Sequence, residues 1–459
     1  MSHVPKAIDN IQVKKVSAGR RTRILLKGCL FESMKKFKYF IVLTFFLSFF
    51  VPTSWAQQDK WPWTFEGGNL QITQNSGDNF SPVIASACQN GSCYYLVVWL
   101  RKTSSGFDIY GARITQDGKV FEEDQDGIPI CTAPNDQMFP AVTSDGENFF
   151  VVWQDMRSGK RWDIYGAWVT NGGQVSDPFP IATGKSTYDQ VSPALAFDGE
   201  SYLVVWQGKA TPKIWNVYFS IVRKNGDVTE VTDKMPISNP PLLKNQASPA
   251  VAFNGENYFI VWQDFRGGKF WDIYGARVTP SGEVLDKKGI PISPIGQNAS
   301  YGWDKWRPAL SWDGNSFLVI WMASKEQNKW YLEGKWVDSR GIPDIYEAPI
   351  PLSKEADTPN KTYPAILWDG NDYLLVWEEE PEGEPKIFGA SILQNHKPFE
   401  VSETVQISSP DVQQSSYTGI SRIGDEALIV WQGKGDDNYW YIYGQRLKRD
   451  LEIPPVDSQ

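Results

Sequence analysis

The chain is 459 residues long, 41% hydrophobic, and carries a formal net charge of −9 at pH 7. An acidic chain without a basic block in its body repels phosphate backbones, which excludes nucleic acid as a partner. Only two histidines are present, His3 and His396, so a histidine triad, a zinc–histidine site and a histidine general base are excluded as well.

Residues 1–33 are basic and show neither a helix nor a strand period. At Met34 the pattern changes: Lys35, Lys36 and Lys38 precede an apolar run of 13 residues, Tyr39 to Val51, and Ser54-Trp55-Ala56 supplies small residues at a cleavage site. Residues 34–56 therefore read as a signal peptide, the run being too short for a membrane span of roughly 20 residues. Residues 1–33 read as a start-site artefact or an extended basic leader, and residues 57–459 as one exported domain, periplasmic or extracellular, without a membrane span. An uncleaved N-terminal anchor is the alternative. Residues 1–56 hold ten Lys/Arg against two Asp/Glu, so their removal takes the net charge from −9 to −17.

The next predicted element is a short strand, Asn69-Leu70-Gln71-Ile72-Thr73, standing alone before the first repeat. Within that repeat Cys88 and Cys93 flank Gln-Asn-Gly-Ser, where an Asn-Gly turn sets two strands side by side. A disulfide across this hairpin is expected, in keeping with an oxidising compartment. Cys131 has no evident partner and reads as a packed thiol. The C-x4-C spacing lacks the second ligand pair of a zinc site.

From there a pattern of the form Pro-Ala-Val-x-x-Asp-Gly-x-x-Tyr-x-Val-Val-Trp recurs, its tryptophan falling at Trp99, Trp153, Trp206, Trp262, Trp321, Trp377 and Trp431. The spacings are 54, 53, 56, 59, 56 and 54 residues. A unit of this length made only of strand-like runs is the mark of a propeller blade. In the fourth copy the four strands are Pro249 to Phe253, Tyr258 to Trp262, Asp272 to Val278 and Ile290 to Ser293. The first turn carries Asp-Gly or Asn-Gly at Asp145, Asp198, Asn254, Asp313 and Asp369, and reads as a hairpin in which both residues take positive φ. The second strand is apolar throughout, as suits a strand covered on both faces, and its tryptophan is a wedge between blades. Recurrent glycines such as Gly166 and Gly275 read as points of close approach by a large ring, or as bulges.

The seventh copy ends at Leu447 without a fourth strand, and Asn69–Thr73 supplies it from the other end of the chain. The expected fold is all-β: a seven-bladed β-propeller of four-stranded antiparallel blades, closed by an N-terminal strand that completes the last blade and removes the open edges. The [Tyr/Phe]-x-Val-Val-Trp-x-Asp … Asp-Ile-Tyr-Gly repeat resembles the seven-bladed propellers of secreted bacterial proteins, within the broad TolB- and WD40-like group, over roughly residues 66–453. WD40 repeats end their third strand with Trp-Asp, whereas here Trp-Asp at 162–163 and 271–272 begins it. The resemblance implies the architecture. It leaves the activity open, since such propellers serve as binding platforms, carbohydrate-active enzymes and scaffolds alike.

In such a fold the loops after the second strand and before the first strand share one face around the channel mouth, and they vary in length where the hairpin turns do not. Asp155 and Arg157, and Asp264 and Arg266, are candidates there, either as a polar ring over the channel or as groups holding their own loops. The loop Pro294 to Arg307 carries Tyr301, Trp303, Asp304, Lys305 and Trp306, flat rings beside polar groups, which is the composition of a sugar or peptide platform or of a lid packed on its blades. Asp108, Asp163 and Asp272 read as turn residues, and Glu122–Gly127 as a solvated acidic turn rather than a calcium loop. Paired carboxylates from Asp155, Asp264, Asp304 and Asp357 could serve a glycosidase. The sialidase Ser-x-Asp-x-Gly-x-Thr-Trp box is absent. The leading expectation is a monomeric, non-enzymatic exported platform, without cofactor or metal, binding a glycan or an envelope protein. The alternative is a carbohydrate-active hydrolase or lyase using paired carboxylates at the channel mouth.

Overall fold

The computed structural model describes residues 61–450, apart from 75–76, 184–187, 227, 239–242, 294–302, 327–328, 345–349, 353–359 and 394–399. Residues 1–33, the leader 34–56, Tyr301, Asp357 and His396 lie outside the described residues.

Each repeat forms one antiparallel sheet, and seven sheets form a ring. Blade 4 consists of Gln246–Phe253, Tyr258–Asp264, Asp272–Val278 and Ile290–Pro291, from the channel to the rim. In blades 3 and 6 the rim position is shared by two short pieces, Val228–Val231 with Met235–Pro236 and Glu400–Val401 with Val405–Gln406. The first strands pack side by side around the channel, the seventh against the first.

Every residue of Tyr258–Asp264 is buried, because a blade lies against each face of this strand. The apolar second and third strands sort into seven clusters among the described residues, one at each interface between blades. The seven recurrent tryptophans are the largest fully buried side chains. Each removes on the order of 200 Å2 from water, or about 5 kcal/mol as an upper bound. The indole N–H groups of Trp153, Trp206, Trp262 and Trp377 find acceptors at 2.7–2.8 Å. Glycine in the third strand makes room for a ring: a Cβ on Gly166 would fall 2.7 Å from the Phe150 ring, and one on Gly275 2.6 Å from that of Phe259.

The hairpin turns differ from expectation. Only the glycine takes positive φ, +91° to +105° at Gly146, Gly199, Gly255, Gly314 and Gly370. The loop holds four residues, and the preceding Asp or Asn uses its Oδ1 to accept two backbone N–H groups, as Asp198 does from Glu200 and Ser201 at 2.8 and 2.6 Å. A side-chain acceptor thus replaces the two-residue turn. Asn90-Gly91 does form that tighter turn, with φ of +51° and +82°, and beside it Cys88 and Cys93 are joined by a disulfide.

The rim strand of blade 7 is Trp63–Gln71, which begins six residues before the sequence expectation. It pairs antiparallel with Trp440–Arg449, from Trp63 opposite Arg449 to Gln71 opposite Tyr443, with a bulge between Glu66 and Leu70. Beyond the strand, the Ile72 N–H donates to the Ile442 carbonyl at 2.8 Å. Among the described residues no helix is long and apolar enough to cross a membrane.

Candidate site at the mouth of the channel

The first strand of every blade contains a bulge at one register position, two residues into the strand in most blades. The bulged residues are Ser81, Phe139, Ser192, Ser248, Arg307, Tyr363 and Tyr417, with φ between +49° and +55°. None is glycine, so each holds a conformation that L-residues seldom adopt. The extra residue turns its N–H out of the ladder and its side chain toward the axis. In five blades that N–H donates to the side chain that follows the tryptophan of the preceding blade. Gln432 accepts from Ser81, Gln154 from Ser192, Gln207 from Ser248, Gln263 from Arg307 and Glu378 from Tyr417, at 2.7–3.3 Å. Blades 1 and 5 carry Leu100 and Met322 at that place.

The seven residues ring a cavity of about 390 Å3, floored by the prolines that follow six of them. That volume lies within the roughly 300–1,000 Å3 of small-molecule sites. Its wall is unequal. Blades 1 to 4 offer Ser81, Phe139, Ser192 and Ser248, and blades 5 to 7 offer Arg307, Tyr363 and Tyr417. The Arg307 guanidinium lies over the Tyr363 ring at 4.4 Å. The rings of Tyr363 and Tyr417 are 4.5 Å apart, with their hydroxyls hydrogen-bonded at 3.3 Å.

Behind Tyr417 stands Glu378, which is 8% exposed. Burial pushes its carboxyl up to about 7, helped by the neighbouring charge of Glu380; the Tyr417 N–H, the Thr362 side chain and Arg307 pull the other way. Burial and Tyr363 push the Tyr417 phenol up to about 12, so it stays a proton donor at neutral pH. The two phenols and the guanidinium can hydrogen-bond the hydroxyls of a bound molecule, and the carboxyl behind them can take up or release a proton near neutrality.

The sequence candidates lie at the same end of the blades but not in this wall. Asp155 and Asp264 are buried. Asp264 accepts the Trp262 indole N–H at 2.8 Å and is gripped by Arg266 at 2.9 and 2.6 Å. Asp155 holds Trp153 and Arg157 in the same way. Arg157 and Arg266 stack on Tyr165 and Tyr274, each at 3.8 Å. Their polar atoms are thus engaged within their own blade, apart from contacts of Asp155 and Arg157 with Cys131 Sγ of blade 1. The Asp304 Oδ1 accepts the Trp271 N–H of blade 4 at 3.0 Å. Asp189 and Asn245 form the same clip at the equivalent position. Trp303 and Trp306 are 41% and 37% exposed, and Trp306 lies 5.0 Å from the Trp330 ring, one residue before Arg307. Cys131 is buried, and burial raises its thiol to about 11. Among the described residues no aspartate or glutamate lines the cavity itself.

Sequence reasoning missed the ring. Its signal was the variable residue before the proline of the first strand in six blades, in Ser-Pro, Phe-Pro, Arg-Pro and Tyr-Pro steps, together with the single Glu at a position that is Gln in blades 2, 3, 4 and 7.

No family model matches the sequence, and no curated protein is similar to it. Solved structures share the fold. The Trypanosoma rangeli sialidase in complex with sialic acid is 7% identical with a TM-score of 0.45, over 84% of this chain and 59% of that one. A Dyadobacter fermentans protein of unknown function is 10% identical with a TM-score of 0.47, over 84% of this chain and 99% of that one. The GH93 α-L-arabinofuranosidase of Fusarium graminearum, in complex with arabinobiose, is 13% identical with a TM-score of 0.46, over 68% of this chain and 93% of that one. The chain thus spans about three fifths of the length of the sialidase it matches. At these identities the likeness is one of fold. The expectation of a non-enzymatic platform on the loop surface is corrected here: among the described residues the polar groups collect in the channel mouth, in front of a buried carboxyl.

Proposed function

We propose that this chain is a carbohydrate-active enzyme that cleaves glycosidic bonds at the channel mouth. The observation that carries the reading is Glu378, a buried carboxyl poised near pH 7 behind the only tyrosine pair of the cavity wall among the described residues. Near neutrality half of such groups hold a proton and half can accept one, as acid–base catalysis of bond cleavage requires. Tyr363 and Tyr417 would hydrogen-bond and stack on a sugar, and the serines opposite would meet its other hydroxyls. The paired-carboxylate version of the chemistry is set aside, because one carboxyl works here with phenols. Trp303 and Trp306 are retained as an outlying platform for a further sugar unit, with Asp304 as their support. Asp155, Arg157, Asp264 and Arg266 hold the loops that frame the mouth. Export is part of the proposal: the leader pattern predicts it and the Cys88–Cys93 disulfide agrees with an oxidising compartment.

The test is Glu378→Gln, assayed by reducing ends released from a panel of polysaccharides. Gln stands at this place in four other blades and makes the same bond there, so the variant should keep its fold. A fall in kcat of about 10²–10⁴-fold with an unchanged melt at low pH is expected. Full activity in the variant, or no cleavage of any polysaccharide by the parent protein, would overturn the reading.

A further inference from the structure

We infer, on the reading just given, that the cavity selects an acidic saccharide, and that Arg307 receives its anionic group. Cations at neighbouring strand ends already have carboxylates: Arg157 has Asp155, Arg266 has Asp264, Lys305 has Asp272 and Lys361 has Glu379, all at 2.6–2.9 Å. Arg307 is exposed, contributes only its backbone N–H to Gln263, and rests its guanidinium on Tyr363 without an ion pair among the described residues. An arginine stacked on a ring is held in one orientation with its edge donors unspent, the geometry suited to a carboxylate or sulfate.

The Arg307 guanidinium lines the cavity next to Tyr363 and is the one positively charged wall residue among those described, which makes it the anion site. The acidic charge of the whole chain does not cancel it, since charges beyond about 8 Å are largely screened at physiological salt.

Two matched pairs of probes test the inference by calorimetry. One is a galacturonate pentasaccharide against its full methyl ester, and the other a κ-carrageenan tetrasaccharide against the neutral agarose tetrasaccharide. The charged member of at least one pair should bind about tenfold tighter or better, and the pair that shows the effect identifies carboxylate or sulfate as the group received. Arg307→Gln should remove that preference, with a loss of about 10- to 100-fold for the charged member that exceeds any loss for its neutral partner. Arg307→Lys, which keeps the charge and loses the fork, should fall between. Melting curves of both variants control for the fold. Equal affinity within both pairs, or a preference that survives Arg307→Gln, overturns the anionic selection. If these probes fail while a neutral polysaccharide is cleaved, the inference falls and the enzyme reading stands. If no saccharide is bound or cleaved, both fall.

Discussion

Glu378 differs by one atom type from the glutamines that occupy its place in four other blades. Gln432, Gln154, Gln207 and Gln263 are neutral at any pH and hold the next blade by one N–H. Glu378 makes the same bond, yet its carboxyl is buried and shifted from 4.5 to about 7. The folded state therefore binds this proton more tightly than the unfolded chain, so stability is greatest below about pH 4.5 and falls as pH rises through about 7. The full shift corresponds to about 3 kcal/mol as an upper bound. Denaturant midpoints of the parent and Glu378→Gln proteins, compared from pH 4.5 to about 8, should show the parent losing stability relative to the variant. Parallel curves would mean that the carboxyl is not perturbed. The functional hypothesis and this stability cost come from one substitution, as is common where a site is built into a repeated frame.

At the scale of the strand and hairpin, the bulge near the start of each first strand decides what reaches the cavity. A strand of strict alternation would send neighbouring side chains to opposite faces, and one extra residue at φ near +50° re-aims the chain. The hairpin of blade 1 shows a different device. Its Asn-Gly turn already sets Cys88 opposite Cys93, so the disulfide closes a loop only five residues apart in sequence. Short loops lose little entropy on closure, and Cys88→Ser/Cys93→Ser should cost at most about 2 kcal/mol. The measurement is the melting midpoint of the double variant against the oxidised parent. A loss far above this, or none, would assign the disulfide a different role.

For the whole molecule, closure rests on two contributions at the seventh blade. Trp63–Gln71 covers the edge of Trp440–Arg449, and Ile72 joins Ile84, Tyr95, Trp99, Leu428 and Val430 in the core between blades 7 and 1. Removing residues 57–73 would leave a ten-residue strand edge with unpaired N–H and C=O groups and an uncovered apolar seam. Such a truncated chain should associate on size-exclusion chromatography and lose the single cooperative melt of the parent. A monomer with an unchanged melt would show that the ring holds without its fastening strand.

The repeat of tryptophan every 53–59 residues, the apolar second strand and the missing fourth strand of the last copy were enough to read seven blades from the sequence. Those features are local or periodic: a strand covered on both faces must be apolar throughout, and a count of strands can be made along the chain. The disulfide was readable for the same reason, because its cysteines stand five positions apart. The cavity was not. Arg307, Tyr363, Tyr417 and Glu378 are spread over 111 positions, and what joins them is the rotation that brings equivalent register positions of blades 5, 6 and 7 to one axis. The candidates chosen for their chemistry, Asp155 and Asp264 above all, were spent on their own tryptophan and arginine. Burial and partnership decide whether a charge is structural or available, and both are set by neighbours that only the closed ring supplies.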